Sequence, residues 1–262
     1  MPDLLNNRRG LIVGIANNRS IACGIARAMH AEGASLALTY QNDSIKKRVA
    51  PLAEEFSAEI FERADTEDAE SLDHLFSRIE DVWGKLDFLV HAIAFSDRHE
   101  LTGRFVNTSR ENFKTSLTIS CYSLIDLTRR AYPLMRDGGT ILTVTFQGSN
   151  RVTPYYNIMG VAKAALESSV KYLANDLGKD GIRVNAISPG PMKTLAGAAI
   201  GGARKTFRHT ETNAPLGANA TLEAIGGAAV FLASDYGVCT TGDIITVDGG
   251  FHILGMPQPD NL

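Results

Sequence analysis

The sequence has little cysteine and no excess of charge of either sign. Its 262 residues include only three cysteines, Cys23, Cys121 and Cys239, which lie far apart and form no C-x-x-C pair. This sparse set argues against a disulfide framework or a structural zinc site and favours a reducing compartment. Lys and Arg number 26 against 29 Asp and Glu, for a net charge of −3. Such a balance supplies no basic field to hold nucleic acid or an anionic membrane.

Long hydrophobic runs are also absent. No stretch approaches the ~18 uncharged apolar residues of a membrane span, and the opening MPDLLNNRRG lacks the apolar segment of a secretory signal. We therefore expect a cytoplasmic protein with no membrane and no nucleic-acid partner. The histidines show no metal-ligand spacing, so we expect no metal site. His91 ends an apolar run, and we expect a core histidine bonded to backbone rather than a catalytic base.

Short apolar runs alternate with longer amphipathic stretches, with no linker or internal repeat between them. Strands are predicted at residues 11–14, 35–40, 59–61, 88–91, 140–145, 183–188 and 243–247. Helices are predicted at residues 21–31, 43–56, 69–83, 110–135, 156–177 and 222–233. Nearly continuous apolar strands need cover on both faces. The pattern predicts a single-domain α/β fold over residues 1–262, a Rossmann-like doubly wound parallel sheet with helices on both faces.

One segment, at residues 195–215, interrupts this alternation between the sixth strand and the last helix. It is rich in Gly and Ala and carries several basic residues. We predict that it forms a substrate-binding lid within the domain, whose packing sets the depth of the substrate pocket.

The first strand ends in a turn that suits a phosphate group. Gly14 follows the strand, Ser20 precedes the first helix, and Gly24 lies within that helix. Backbone N–H groups and the dipole at a helix N-terminus favour a pyrophosphate, while Gly24 allows close packing of the helix on a strand. The usual G-x-G-x-x-G is absent, so an ordinary turn with a capping serine is an equal alternative at this point.

The second strand is followed by Gln41 rather than by the acidic residue that commonly binds an adenosine ribose. No Arg occupies the adjacent positions to bind a 2′-phosphate. If the turn binds a nicotinamide dinucleotide, NADH is therefore favoured over NADPH. A basic run at residues 46–48 could contact a phosphate, although a solvated helix face is the favoured interpretation.

Tyr156 and Lys163 lie seven residues apart in a predicted helix, which is about two turns, or 10.5 Å, along one face. They can therefore serve one pocket. A phenol stabilises charge that develops on a substrate carbonyl oxygen, and a nearby ammonium holds a cofactor ribose. By itself such a pair is more often an ordinary feature of a helix face.

Several further motifs place this pair in context. They are the turn GIANNRSIACGIA, the strand end TYQND, VHAIAF at residues 90–95, SCYSL at 120–124, Tyr156-x6-Lys163 enclosing Met159, VNAISPGPMKTLA, and DGG at 248–250. With them the sequence resembles the short-chain dehydrogenase/reductase superfamily, and within it the enoyl-acyl-carrier-protein reductases of bacterial type II fatty acid synthesis. The resemblance covers almost the whole chain. The Tyr-x3-Lys spacing of ketoacyl reductases and alcohol dehydrogenases is missing.

The resemblance implies NADH-dependent reduction of the trans-2 double bond of enoyl thioesters on acyl carrier protein. Tyr156 would bond the thioester carbonyl, and Lys163 would bind the nicotinamide ribose. The other implied cofactor-binding residues are Gly14, Ser20, Ile21, Gln41, Asp65, Thr66, Ile93, Met192, Lys193, Thr194, Leu195 and Ala196. The implied substrate-binding residues, besides Tyr156, are Phe95, Ser96, Phe146 and Met159.

The resemblance also implies partners. Arg204 and Lys205 in the predicted lid would meet the acidic surface of acyl carrier protein, although an exposed, solvated basic helix is an equal alternative. The family is usually tetrameric, and surplus apolar residues on the fourth and fifth predicted helices are consistent with a homotetramer.

Three positions depart from the family pattern. Phe146 stands where many of these reductases have a second tyrosine, Ala92 replaces a serine and Ala94 replaces a glycine. Two alternative functions stay open at this point. One is a ketoacyl reductase of the same superfamily, which the missing Tyr-x3-Lys disfavours. The other is a catalytically silent NAD-binding regulator, towards which Phe146 points.

Overall fold

Seven parallel strands form the central sheet of the computed structural model, which describes residues 3–195, 197 and 202–261. The strands are β1 (Arg9–Val13), β2 (Ser35–Tyr40), β3 (Ile60–Arg63), β4 (Phe88–His91), β5 (Gly139–Val144), β6 (Ile182–Pro189) and β7 (Ile244–Val247). They are ordered β3-β2-β1-β4-β5-β6-β7, and every neighbouring pair is parallel. All seven predicted strands are therefore present, with bounds shifted by at most two residues.

Helices connect the strands. They are α1 (Ile21–Ala31), α2 (Asp43–Glu55), α3 (Ala69–Trp83), α4 (Arg98–Leu101), α5 (Arg110–Leu117), α6 (Ser123–Ala131), α7 (Ile158–Leu177), α8 (Ala203–Asn213) and α9 (Leu222–Ala233). Side-chain caps start several of them; Asn42, Asp68 and Thr221 accept backbone N–H bonds at the starts of α2, α3 and α9. The predicted lid contains α8, while residues 196 and 198–201 lie outside the described part of the chain.

The sheet is covered by helices on both faces, as predicted. Because successive side chains of a strand point to opposite faces, Leu11 packs in one core and Ile12 in the other. The first core lies between the sheet and α3, α6 and α7, and the second between the sheet and α1, α2 and α9. The fold is the doubly wound Rossmann-like α/β sheet. None of the helices in the described ranges has the length and hydropathy needed to cross a bilayer.

The helix predicted at residues 110–135 is divided into parts. A π-helical turn at Thr118–Tyr122 separates α5 from α6, and a 3-10 turn at Tyr132–Leu134 follows α6. Pro133 explains the second change, since proline cannot donate the helical N–H bond. The π turn presents Ser120 towards Phe95, whose backbone N–H and C=O both bond the Ser120 hydroxyl. Such turns are frequent at functional sites.

His91 is fully buried at the end of β4, but its partners are hydroxyls and not backbone groups as predicted. Its Nδ1 lies 2.8 Å from Thr143 Oγ1, and its Nε2 lies 2.7 Å from Ser123 Oγ. Ser123 Oγ donates to the Ile119 carbonyl, so it accepts from His91 Nε2–H. The first residue of α6 supplies this hydroxyl, and the π turn supplies the carbonyl that orients it. Burial and the charge of Lys163 lower the pKa of His91 to about 3, so the ring is neutral.

Gly24 serves a different contact from the one predicted, because it lies between two helices. A Cβ at this position would be 2.8 Å from Leu222 Cβ at the start of α9. In α9, a Cβ at Gly226 would be 2.6 Å from Ala28 Cβ and 3.0 Å from the Gly24 carbonyl oxygen. The glycines therefore allow α1 and α9 to approach closely side by side on the sheet.

This contact makes a prediction about stability. Gly226→Ala should lower the free energy of unfolding by about 1–3 kcal/mol, because the new methyl overpacks against Ala28 and the α1 backbone. The matched control is Gly227→Ala on the exposed side of α9, where the methyl meets nothing within 4 Å. It should stabilise by about 0.5–1 kcal/mol through helix propensity. Urea unfolding of both variants measures the difference, and equal effects would contradict the close approach.

Candidate active site

The residues predicted to form the site lie mostly along the carboxyl edge of the sheet. Because all seven strands are parallel, the segments that follow them meet at one edge, and ligands of such sheets bind where the strand order reverses, here between β1 and β4. The edge brings together Gly14 after β1, Gln41 after β2, Asp65 and Thr66 after β3, Ile93 after β4, Phe146 after β5, and Met192, Lys193, Thr194 and Leu195 after β6. Ala196 lies outside the described residues.

The turn after β1 has the geometry of an anion cradle. Gly14 has φ +111°, and a Cβ there would collide with the Ala92 carbonyl at the end of β4. Ser20 precedes α1, but its hydroxyl accepts the N–H groups of Ala16 and Asn17, each at 3.0 Å, and makes no cap bond to the helix. Cys23 N and Gly24 N donate to the Ser20 carbonyl, so the first two amides of α1, at Ile21 and Ala22, remain available, which suits a pyrophosphate. Ser20 thus occupies the N-cap position of α1 without capping the helix through its side chain, and the phosphate-binding role of the turn stays a prediction.

A charged cluster that the sequence reading missed lies at the other end of the edge. Arg63 on β3 donates to the Gln41 carbonyl at 3.1 Å, and it forms ion pairs with Asp68 at 2.6 Å and Asp65 at 3.5 Å. That Arg63 lies beside Gln41 follows only from the strand register, which pairs Arg63 with Tyr40. The two carboxylates balance its charge, so the cluster favours a ribose hydroxyl over a 2′-phosphate.

Tyr156 lies in the turn before α7 and not in the helix, which begins at Ile158. Its neighbours Tyr155 and Asn157 have φ of 61° and 36°, so the chain reverses sharply at this point and the two-turn spacing to Lys163 does not apply. The Tyr156 side chain is buried, and the Phe146 ring meets it edge-on at a centroid distance of 5.1 Å. Burial, and then the charge of Glu167, raise the pKa of the Tyr156 phenol well above its usual range. It therefore stays protonated.

Lys163 is buried at the second turn of α7, and its ammonium donates to the Val144 carbonyl at 2.7 Å. Burial lowers its pKa to about 8, while Cys121 and Glu167 act in the opposite direction. Most of the population is charged at pH 7. The Val144 carbonyl at the end of β5 thus stabilises the buried Lys163 ammonium.

Glu167 is a second residue of α7, after Lys163, that binds the end of β5, and the sequence reading did not find it. Its carboxylate accepts a hydrogen bond from Thr145 Oγ1 at 2.6 Å. Glu167 follows Lys163 by one helical turn, so both point towards the same strand. In the sequence, the only sign of this role is a Glu four residues after the lysine. Its partner Thr145, directly after β5, can be identified only from the fold.

Three of the residues predicted to bind substrate meet in a small apolar cluster. Tyr156 and Met159 pack there with Leu101 and Ile158, and Phe146 packs against them. The predicted residues Phe95 and Ser96 lie alongside rather than inside this cluster. Ser120 bonds the Phe95 backbone and donates to Met159 Sδ at 3.8 Å, while Ser96 Oγ donates to Asn112 Oδ1 at 3.2 Å. The Phe95 side chain is 51% exposed, so it lies at the surface beside the cluster. Within the described ranges, no three His, Cys, Asp or Glu side chains converge as metal ligands do.

Comparison with known proteins identifies the family of the chain. A family model described as enoyl-(acyl carrier protein) reductase matches residues 14–252. The chain belongs to this family. It is 52% identical to enoyl-acyl-carrier-protein reductase (NADH) 1 of Rhizobium meliloti, over 98% of this chain and 94% of that relative. The family resemblance inferred from the sequence motifs is confirmed.

Solved structures of enoyl-acyl-carrier-protein reductases superpose closely. The enzyme of Anaplasma phagocytophilum in complex with NAD is 50% identical and aligns with a TM-score of 0.95 over 98% of both chains. The Bacillus cereus enzyme with NADP+ and indole naphthyridinone is 44% identical and aligns with a TM-score of 0.95 over 98% of this chain and 100% of that one. The predicted fold class is confirmed by the same alignments.

The lowered pKa of Lys163 predicts how cofactor affinity depends on pH. Below about pH 8 the ammonium is charged and attracts an anionic dinucleotide, so NADH affinity should fall as the pH rises through about 8, by at most about tenfold per pH unit. Fluorescence titration of NADH at several pH values measures this. In Lys163→Met the affinity should be weaker and flat over the same range; a step that persists in this variant would remove Lys163 from the cofactor site.

Proposed function

We propose that this protein reduces the trans-2 double bond of enoyl thioesters carried on acyl carrier protein, with NADH as reductant, in fatty acid elongation. The observation that carries the proposal is the buried pair of Tyr156 and Lys163 at the end of β5, one a protonated phenol and the other a cation. Membership of the enoyl reductase family and the 52% identity to an NADH-dependent relative support it.

The roles of the two residues follow from their protonation. NADH, when bound, supplies the hydride that is added to the β-carbon of the substrate. Negative charge then develops on the thioester oxygen, and Tyr156 Oη donates a hydrogen bond to that oxygen. Its raised pKa suits this role because the phenol keeps its proton at neutral pH. Proton uptake at the α-carbon completes the reduction. Lys163 holds the nicotinamide ribose and keeps the local potential positive.

The remaining edge residues would hold the cofactor. Gly14, Ser20 and Ile21 form the turn that fits the pyrophosphate, as argued from the free amides of α1. The adenosine would lie at the end of the edge with Gln41, Asp65 and Thr66. Arg63 there is paired with Asp65 and Asp68, so it has no free positive charge for a 2′-phosphate, which favours NADH over NADPH. Ile93 would form a wall beside the nicotinamide, and residues 192–196 would cover it and the pyrophosphate.

The lid at residues 195–215 would cover the acyl chain and carry the partner contact. Arg204 and Lys205 are exposed on α8, which has no other charged residue before Arg208. They would bind the acidic surface of acyl carrier protein. We propose the cytoplasm as the location of this protein.

The assembly would be a homotetramer of single-domain subunits. Large apolar side chains are exposed along α5, the π turn, α6 and α7, namely Phe113, Tyr122, Ile125 and Tyr172. Others lie around the end of α9, namely Phe231, Tyr236 and Val238. Exposed apolar patches of this kind are typical of subunit interfaces, and two separate faces suit a tetramer.

The direct test follows NADH absorbance with trans-2-enoyl thioesters of increasing chain length on acyl carrier protein. NADPH and a ketoacyl substrate are run in parallel. We expect oxidation of NADH with the enoyl substrates and little with the ketoacyl one. Oxidation with the ketoacyl substrate alone would make the protein a carbonyl reductase, while binding of NADH without turnover of either substrate would make it a silent regulator.

A single substitution tests the role of the phenol. Tyr156→Phe removes the donor to the thioester oxygen and keeps the ring that packs against Phe146. We expect kcat to fall about 10²–10³-fold, as for loss of one oxyanion donor, with NADH affinity almost unchanged. The matched control is Tyr132→Phe, an exposed tyrosine in the 3-10 turn after α6. Equal turnover in both variants would remove Tyr156 from the mechanism.

A further inference from the structure

The turn that presents Tyr156 is held in a conformation that few residues adopt. Tyr155 and Asn157, on either side of it, both have positive φ, and Asn157 has φ 36° and ψ −119°. Such backbone persists only where surrounding contacts hold it, and it occurs preferentially at functional sites. Asn157 carries the contact that holds this turn.

The Asn157 amide nitrogen points at three backbone carbonyls of one neighbouring segment. Its Nδ2 donates to the carbonyl oxygens of Glu100 at 3.1 Å, Leu101 at 3.2 Å and Gly103 at 2.9 Å. These carbonyls belong to the end of α4 and the turn after it, where a helix leaves its last acceptors unpaired. Because all three partners are hydrogen-bond acceptors, the side chain at position 157 must be a donor. A carboxylate of the same shape could not replace the amide.

The segment that Asn157 holds also buries the catalytic phenol. Leu101 is 4% exposed and packs in the apolar cluster with Tyr156, Ile158 and Met159. Burial is the larger cause of the raised pKa of Tyr156. The amide thus fixes the backbone of one residue of the cluster in which Tyr156 is buried.

The other side of α4 is tied to α5. The Glu100 carboxylate accepts from Ser109 N at 2.9 Å, Ser109 Oγ at 2.7 Å and Asn112 Nδ2 at 3.2 Å. The Glu100 side chain therefore anchors α4 to the start of α5, and the Glu100 backbone anchors it to the Tyr156 turn. With Asn157 removed, only the α5 anchor would remain, and Leu101 would be free to move off the phenol.

We propose that Asn157 is a positioning residue: its amide clamps the segment Arg98–Gly103 to the turn that presents Tyr156, and thereby seats Leu101 over the phenol. The residue acts through Leu101 and touches no reacting atom. Its effect on turnover rests on the proposed enoyl reduction, whereas its effect on the phenol does not.

The test removes the clamp from each side. Asn157→Gly keeps the backbone freedom that the positive φ needs but loses the amide, and Leu101→Ala leaves the amide but removes the cover. We expect each variant to lower kcat for a trans-2-enoyl thioester about 10- to 100-fold, as for a slight misplacement of a catalytic group, and to leave NADH affinity unchanged. If Asn157 acts through Leu101, the double variant should lose little more than either single one.

A second readout stands apart from enoyl reduction. The pKa of the Tyr156 phenol is measured from the phenolate absorbance of each protein minus that of the same protein with Tyr156→Phe. It should be lower in Asn157→Gly and in Leu101→Ala than in the unaltered protein, because water reaches the phenol. A protein that shows this shift but reduces no enoyl thioester keeps the clamp and overturns the proposed function instead.

The matched control is Asn107→Gly, an exposed asparagine of the same loop. It should match the unaltered protein in kcat and in the phenol pKa. The proposal is overturned if Asn157→Gly behaves like Asn107→Gly, or if the losses of Asn157→Gly and Leu101→Ala simply add. It is also overturned if Asn157→Gly weakens NADH binding as much as it slows turnover, since that would be a general structural defect.

Discussion

The attachment of α7 to the end of β5 is the contact on which the site depends. Three consecutive residues of this end each hold one side chain from the turn or helix that follows, in the pairs Val144–Lys163, Thr145–Glu167 and Phe146–Tyr156. β5 is suited to this because β4 and β6 pair with it on both sides, so its end cannot shift alone. The proposed catalytic groups are therefore positioned by contacts to the end of a central strand, which gives the precision that catalysis needs.

Burial acts on three titratable groups around this contact and brings each to a useful state. It raises the pKa of the Tyr156 phenol, lowers that of Lys163 to about 8 and lowers that of His91 to about 3. At neutral pH the phenol is a donor, the lysine is mostly a cation and the histidine is neutral. A charged His91 would repel Lys163, and the hydroxyls of Thr143 and Ser123 satisfy its ring without a charge. One apolar environment thus supports hydrogen-bond donation and nucleotide binding together.

The sequence predicted the sheet well because short, nearly continuous apolar runs are a local signal, and the parallel order then brings residues such as Gly14 and Phe146 to one edge. Family motifs supplied Tyr156 and Lys163. The contacts that hold them were not predictable, since Asn157 reaches carbonyls more than 50 residues away along the chain. The apolar spacing at Tyr156 continues that of α7, so the sequence predicts a helix there. Only the positive φ angles of Tyr155 and Asn157 show that this segment is a turn. Long-range partners and strained turns are decided by tertiary packing, which overrides local propensity.

The central claim is that this site delivers a hydride to the β-carbon of an enoyl thioester. The most direct measurement uses NADH carrying deuterium at the transferred position and a trans-2-enoyl-acyl carrier protein, followed by mass spectrometry and NMR of the product. The account predicts a saturated acyl chain with the deuterium at its β-carbon and a proton from water at its α-carbon. A product without deuterium at the β-carbon, or deuterium on a hydroxyl-bearing carbon when the ketoacyl substrate is supplied, would contradict it.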